Sequence, residues 1–190
     1  LDEVYIGDAT QIVNNLRENL FDTIIMADFI EHIATPEEML NDIKRVLTPN
    51  GKVILSIPNV RHWSVLKDLL EGKWEYEDAG ILDRTHLKFF TLQSIVKMMQ
   101  RCGYKIEVSN GTRFAGFEIP AGLSENLATF GLNTSSLDNE SQIYQYLIVC
   151  TPIEKSVSEH VIAQKAEPEK IGNKLPDFTM DKRPIVSIIF

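Results

Sequence analysis

The chain has 190 residues, 44% hydrophobic and 24% charged, which supports one buried core and excludes disorder throughout. Its 19 basic and 27 acidic residues leave a formal charge of -8, which repels a phosphate backbone, so nucleic acid is not an expected partner. The apolar runs at 146–150 and 185–190 fall far short of the roughly 20 residues a membrane-spanning helix needs, and neither a membrane nor a secretory leader is expected. Cys102 and Cys150 have no Cys or His companion at metal-ligand spacing. They are expected as reduced thiols in a cytoplasmic protein.

In chain order, Val4-Tyr5-Ile6-Gly7-Asp8 is a short apolar run ending on an acid, the pattern of a strand. Asp8 or Thr10 can cap a following helix with Ile12, Val13, Leu16 and Leu20 on one stripe. The continuous apolar run from Thr23 to Ala27 predicts a strand covered on both faces. Thr35-Pro36-Glu37-Glu38 then offers a cap, a proline at the first helical position and an acid three residues after the cap. Met39, Leu40, Ile43, Val46 and Leu47 form the buried stripe of that helix. Pro49-Asn50-Gly51 supplies turn chemistry, and Val53 to Ile57 is the next strand. Three strands alternating with two helices predict parallel βαβ units and an α/β class.

Beyond Pro58, Trp63, Leu66, Leu69 and Leu70 suggest a short helix ended by Gly72, and Lys73 to Lys88 reads as a loop over the sheet edge. Thr91 caps a third helix bearing Leu92, Ile95, Val96 and Met99, with Gly103 just past its end. Tyr104 to Val108 and Ile143 to Thr151 predict two strands, antiparallel because no clear crossover helix separates them. The polar insertion between them holds at most one short helix, near Leu123 to Phe130. From Pro152 to Arg183 the apolar periodicity stops, which predicts a linker, and 184–190 resumes a strand pattern.

These residues resemble the C-terminal half of a class I S-adenosylmethionine-dependent methyltransferase. The matching features are the strand ending Gly7-Asp8, Phe21 to Asp28 followed by Ile30-Glu31-His32, Leu47-Thr48-Pro49-Asn50-Gly51-Lys52, and Arg101-Cys102-Gly103-Tyr104. Asn50 stands where the family commonly has a glycine, and Asn tolerates the left-handed backbone such turns need. The resemblance implies a Rossmann-like methyltransferase sheet, mostly parallel with an antiparallel edge pair and lacking its N-terminal βαβα portion. Residues 1–151 would be the methyltransferase domain, 152–183 a linker, and 184–190 the first strand of a family 2 glycosyltransferase domain. No Gly-x-Gly turn occurs in the sequence. The fragment is therefore expected to be inactive alone, with a non-catalytic Rossmann-like scaffold attached to a glycosyltransferase as the second reading.

The resemblance also implies S-adenosylmethionine as cofactor, with the Asp8 carboxylate on the adenine amino group, the Ala9 amide on the ring, and Ala27 and Asp28 beneath the methionine part. The plainer readings are a helix cap for Asp8 and a strand-end turn for Ala27-Asp28. Asp28, Glu31 and His32 share one face if their turn is helical, and with His86 they make a possible divalent-ion set. The alternative is a hydrogen-bonded turn, and no metal is assigned. His32 is the candidate general base, neutral imidazole being suited to take a proton near pH 7. Amino-group methyltransferases resemble one another in an Asn/Asp-Pro-Pro-aromatic motif where this chain has Asp28-Phe29-Ile30-Glu31, so an oxygen of a small molecule or saccharide is the expected acceptor. His62, Trp63, Trp74, Tyr76 and 83–90 fall where the family builds its acceptor lid, to stack on a ring or to pack the lid onto the sheet. The insertion at 110–139, with Phe114, Phe117 and Phe130, would extend that pocket or mediate a homodimer.

Overall fold

The computed structural model describes residues 4–114 and 119–153, together with the backbone of 185–188. Strands β1 (Phe21–Ala27) and β2 (Leu47–Pro58) run parallel, joined by helix α2 (Pro36–Val46). Pro36 opens α2 as predicted, although the Thr35 side chain makes no capping bond. The predicted turn at Pro49-Asn50-Gly51 is absorbed into β2 as an irregularity: Phe21 pairs with Leu47, and two residues later Thr23 pairs with Lys52. Helix α1 (Ala9–Asn15) precedes β1 and is capped by Asp8, whose Oδ1 accepts from the Gln11 amide at 3.0 Å.

The expectation of coverage on both faces fails. Val53, Leu55 and Ile57 of β2 are buried while Ile54, Ser56 and Pro58 between them are only partly covered, and Ile24 and Met26 alternate with Thr23 and Ile25 in β1. The buried set joins Met39, Leu40 and Ile43 of α2 and Ile95, Met98 and Met99 of α4 (Leu92–Arg101) in one core. Apolar residues on both sides of a strand permit two-sided packing, but each face is buried only where an element lies against it.

Helix α4 carries the predicted cap as a reciprocal box between Thr91 and Ser94, and Gly103 follows its end at φ +67°. Strands β3 (Tyr104–Thr112) and β4 (Gln145–Pro152) pair antiparallel as expected. Between them lie two short helices, α5 (Leu123–Ala128) and α6 (Leu137–Glu140), where one was predicted. Helix α3 (Trp63–Leu70) matches its prediction, and its Val65 packs with Ile81 and Leu82 in a smaller cluster.

The sheet order is β3-β4-β2-β1-β5, where β5 is Ile185–Ile188. This overturns the mostly parallel sheet. Strand β4 pairs antiparallel with β2 as well as with β3, so antiparallel pairing reaches the middle of the sheet rather than staying at its edge. Among strands within 4–153 the one parallel pairing is β1 with β2; β5 adds a second along the other side of β1. The predicted strand at Val4-Asp8 is also absent: Val4, Tyr5 and Ile6 are 68%, 44% and 97% exposed. A strand needs a neighbour for its hydrogen bonds, and here β5 rather than 4–8 lies on the far side of β1. The linker expected over 152–183 falls outside the described residues from 154 onward.

Candidate functional site

The carboxyl end of β1 forms one corner of the site. Ala27 and Asp28 are exposed there, and Asp28 adopts φ 47°, a left-handed conformation uncommon outside Gly, Asn and Asp. Neighbouring strands hold it. The Asp28 amide donates to Ser56 Oγ at 3.0 Å, Ser56 Oγ lies 3.3 Å from Asp28 Oδ1, and Gln145 Nε2 donates to the same oxygen. Because β4 runs antiparallel to β2, its first residue, Gln145, sits beside Pro58 at the same rim as the ends of β1 and β2. An antiparallel strand thus delivers its N-terminus to the edge where ligands bind in open α/β sheets.

Asp8 and Ala9 stand at the N-terminal end of α1. The other end of α1 is fastened by Arg45, which donates to Leu16 O at 2.7 Å and to Val13 O at 2.8 Å. Arg45 lies in the last turn of α2, immediately before β2 begins. The C-terminal end of α1 thus lies beside the start of β2. Asp8 is exposed and Ala9 half-buried, so the carboxylate caps its helix through one oxygen and keeps the other in solvent.

Below Asp28 the chain makes a short 3₁₀ turn, Ile30–His32. The loop at 83–88 is sewn onto it, with the amides of Leu87 and Lys88 donating to Glu31 O at 2.9 and 3.0 Å. Thr85 shapes the loop by donating its hydroxyl to Asp83 Oδ1 at 2.6 Å. Three acid-base side chains meet as a result. His32 and His86 stack edge to face with centroids 4.8 Å apart, and His86 Nε2 lies 4.0 Å from Glu31 Oε1. Glu31 is 1% exposed and neither carboxylate oxygen has a hydrogen-bond partner. Burial, with a smaller contribution from the nearby Asp28 charge, raises its pKa to about 7.

Of the predicted lid residues, His62 is fully buried and packs edge-on against Tyr144, its ring centroid 5.3 Å away. Burial lowers its pKa. Trp74 and Tyr76 are 41% and 51% exposed, and both rest on Phe89. Phe114 leans on Tyr144 at 4.7 Å, Phe130 is 80% exposed, and Phe117 lies outside the described residues. Leucines of α3, α5 and the segment before α6 border an apolar groove of about 350 Å³.

Ser56 and Gln145 were missed as site residues, and Thr85 was covered only as part of the 83–90 segment. Gln145 had a visible signal, a polar residue inside the otherwise apolar run from Ile143 to Cys150. Ser56 and Thr85 had none, since a lone Ser or Thr is unremarkable in a strand or turn.

The tethered Asp28 thus sits at the carboxyl end of β1 in a Rossmann-like mixed sheet. The profile of the family described as "Methyltransferase domain" matches residues 7–108, more than half of the chain, and the chain belongs to that family. It carries a methyltransferase-like domain built on a Rossmann-like mixed sheet. Among curated proteins it is 24% identical over 118 residues to a highly reducing polyketide synthase of Gibberella zeae, covering 61% of this chain and 4% of the synthase. Among solved structures, a SAM-dependent methyltransferase from Archaeoglobus fulgidus is 18% identical with a TM-score of 0.48, over 76% of this chain and 65% of that one. The 1,6-didemethyltoxoflavin-N1-methyltransferase of Burkholderia thailandensis is 12% identical with a TM-score of 0.43, over 75% of this chain and 48% of its own. The chain thus spans less than two thirds of the length of these relatives.

Proposed function

We propose that the chain contributes the adenine and methionine corners of an S-adenosylmethionine site and transfers the methyl group to an oxygen of a small molecule or saccharide. Asp8 would accept the adenine amino group and the Ala9 amide would meet the ring. Ala27 and Asp28 would lie beneath the methionine part. His32, half-buried one turn beyond Asp28, would take the acceptor proton as the methyl carbon is displaced from sulfonium to oxygen. The observation that carries this reading is the Asp28 backbone, left-handed and tied to Ser56 and Gln145 at an exposed rim. Strain maintained by neighbouring strands is expected where a backbone must present its groups to a ligand. The buried free thiols of Cys102 and Cys150 support a reducing, cytoplasmic setting.

The sequence holds no Gly-x-Gly turn, so these contacts alone predict weak cofactor binding and little turnover. Amide chemical shifts during titration with S-adenosylhomocysteine test the placement. The largest changes are expected at Ala9, Ala27 and Asp28; saturating ligand that leaves these three amides unmoved refutes it. The second reading, a non-catalytic scaffold attached to a glycosyltransferase, predicts no saturable shift anywhere.

A further inference from the structure

Glu31 and His86 have no part in the cofactor reading, yet both are deeply buried, their side chains 1% and 6% exposed. Their surroundings fix which atoms face one another. His86 Nδ1 lies 2.9 Å from the Ile81 carbonyl, which can only accept, so Nδ1 carries the proton and Nε2 a lone pair. His32 Nδ1 lies 3.2 Å from the Thr85 carbonyl and 3.2 Å from Thr85 Oγ1, whose own proton is committed to Asp83. Nδ1 is again the donor, and Nε2 again carries a lone pair. When ionised, Glu31 brings only acceptor oxygens, and no hydrogen-bond donor reaches them. One ligating atom from each of the three residues lies within 4.8 Å of the others. The unpartnered Glu31 carboxylate and the His86 Nε2 lone pair, facing each other in a buried place, repel unless something positive stands between them, and a ring nitrogen of His32 lies within reach of both.

We infer that Glu31, His32 and His86 bind a divalent transition-metal ion. Two imidazoles and one carboxylate suit zinc, iron(II), cobalt(II) or manganese(II) rather than calcium or magnesium, which favour all-oxygen sets. Ligand atoms around such an ion stand about 3–3.5 Å apart at bond lengths near 2.1 Å. The 4.0 Å between His86 Nε2 and Glu31 Oε1 therefore needs to close by at most about 1 Å, and a separation at the 4.8 Å bound of the set by at most about 1.8 Å. The supporting shell is in place: each imidazole is oriented by a backbone carbonyl on its far nitrogen. Three protein ligands leave coordination positions for water or an incoming oxygen, and His32, being half-buried, keeps one side of the site open. What the ion would do rests on the methyl-transfer reading, in which it would hold and acidify the acceptor hydroxyl in place of His32 as base. Binding of the ion does not depend on that reading.

The test is titration of the intact, chelator-stripped chain with cobalt(II), read by ligand-field absorption and by the thermal midpoint. One ion per chain is expected, with a midpoint that rises on binding. H86N and E31Q should each weaken binding at least tenfold. H32Q, at the half-buried position, should do the same if the buried variants fail to fold, and D78N on the same loop should leave binding unchanged. Absorption that stays that of the aqueous ion throughout the wild-type titration overturns the inference, and so does undiminished binding by H32Q. A buried pair that merely shares a proton gives the first of those results. Because the readout is metal alone, failure here leaves the S-adenosylhomocysteine experiment untouched, and the reverse holds.

Discussion

Replacing Asn59 with alanine should cost the fold about 3 kcal/mol, a large effect for a polar residue beyond the end of a strand. Asn59 is fully buried. Its Nδ2 donates to Ile143 O at 2.7 Å and to Glu140 O at 2.8 Å, and its Oδ1 accepts from the Arg61 amide at 2.9 Å. Alanine removes all three bonds, but their losses are unequal. Glu140 O keeps the Ile143 amide at 3.0 Å, whereas Ile143 O loses the side-chain donor that reached it and the half-buried Arg61 amide must turn to water. A buried orphan costs about 1–3 kcal/mol, so one full penalty, one partial penalty and a small cavity sum to about 3. Urea unfolding measures it, as a lower midpoint with an unchanged slope. N59D should cost more at neutral pH, since it turns carboxylate oxygens toward two carbonyls. A loss below about 1 kcal/mol for N59A would refute the accounting, because no orphaned group would then have been created. The effect should reach the site as well. Ile143 is two residues before Gln145, so loosening it should weaken the hold on Asp28 and broaden the Asp28 amide resonance.

Gly111 allows β3 to pass close to Ile143, and a Cβ there would lie 2.5 Å from Ile143 Cγ2. G111A should therefore destabilise by about 1–3 kcal/mol, and adding I143A should recover part of that loss, as a double-mutant cycle in urea will measure. His62, whose pKa burial lowers, favours the folded state fully above its unfolded value near 6.5, and that contribution is lost as pH falls below it. The stability difference between wild type and H62N should accordingly shift in favour of H62N from pH 7 to pH 5; a pH-independent difference would contradict a buried neutral imidazole. The Cys150 thiol is pushed up to about 12 by burial and Cys102 is raised by the same cause, so neither should react with a thiol reagent in the native chain and both should react in denaturant. T91A breaks the reciprocal cap of α4 and should cost about 1 kcal/mol by thermal or urea unfolding.

What could be read from the sequence was what depends on neighbours a few residues away. Pro36 opened α2, Thr91 capped α4 and Gly103 closed it because caps and left-handed turns are satisfied within one turn of chain. The same locality explains the errors. The run Val4-Tyr5-Ile6 has strand composition, but whether a strand forms depends on a partner, and the side of β1 away from β2 is taken by residues more than 150 positions later. Apolar stretches in β1 and β2 permit burial on both faces, and the placement of α2 and α4 against alternate residues decided that one face is buried.

The site divides along the same line. Asp8 as a cap and Glu31-His32 on one turn were legible, since both follow from spacing along the chain. That Gln145 would grip Asp28 across 117 positions, and that a loop fastened by Leu87 and Lys88 would carry His86 onto Glu31, could not be read from any spacing. Those meetings follow from strand register and loop closure, which are set by the packing of the whole sheet. The residue types belong to the sequence; the meeting of Glu31, His32 and His86, and the burial of Glu31 within it, belong to the tertiary structure, because charge and desolvation act through space rather than along the chain.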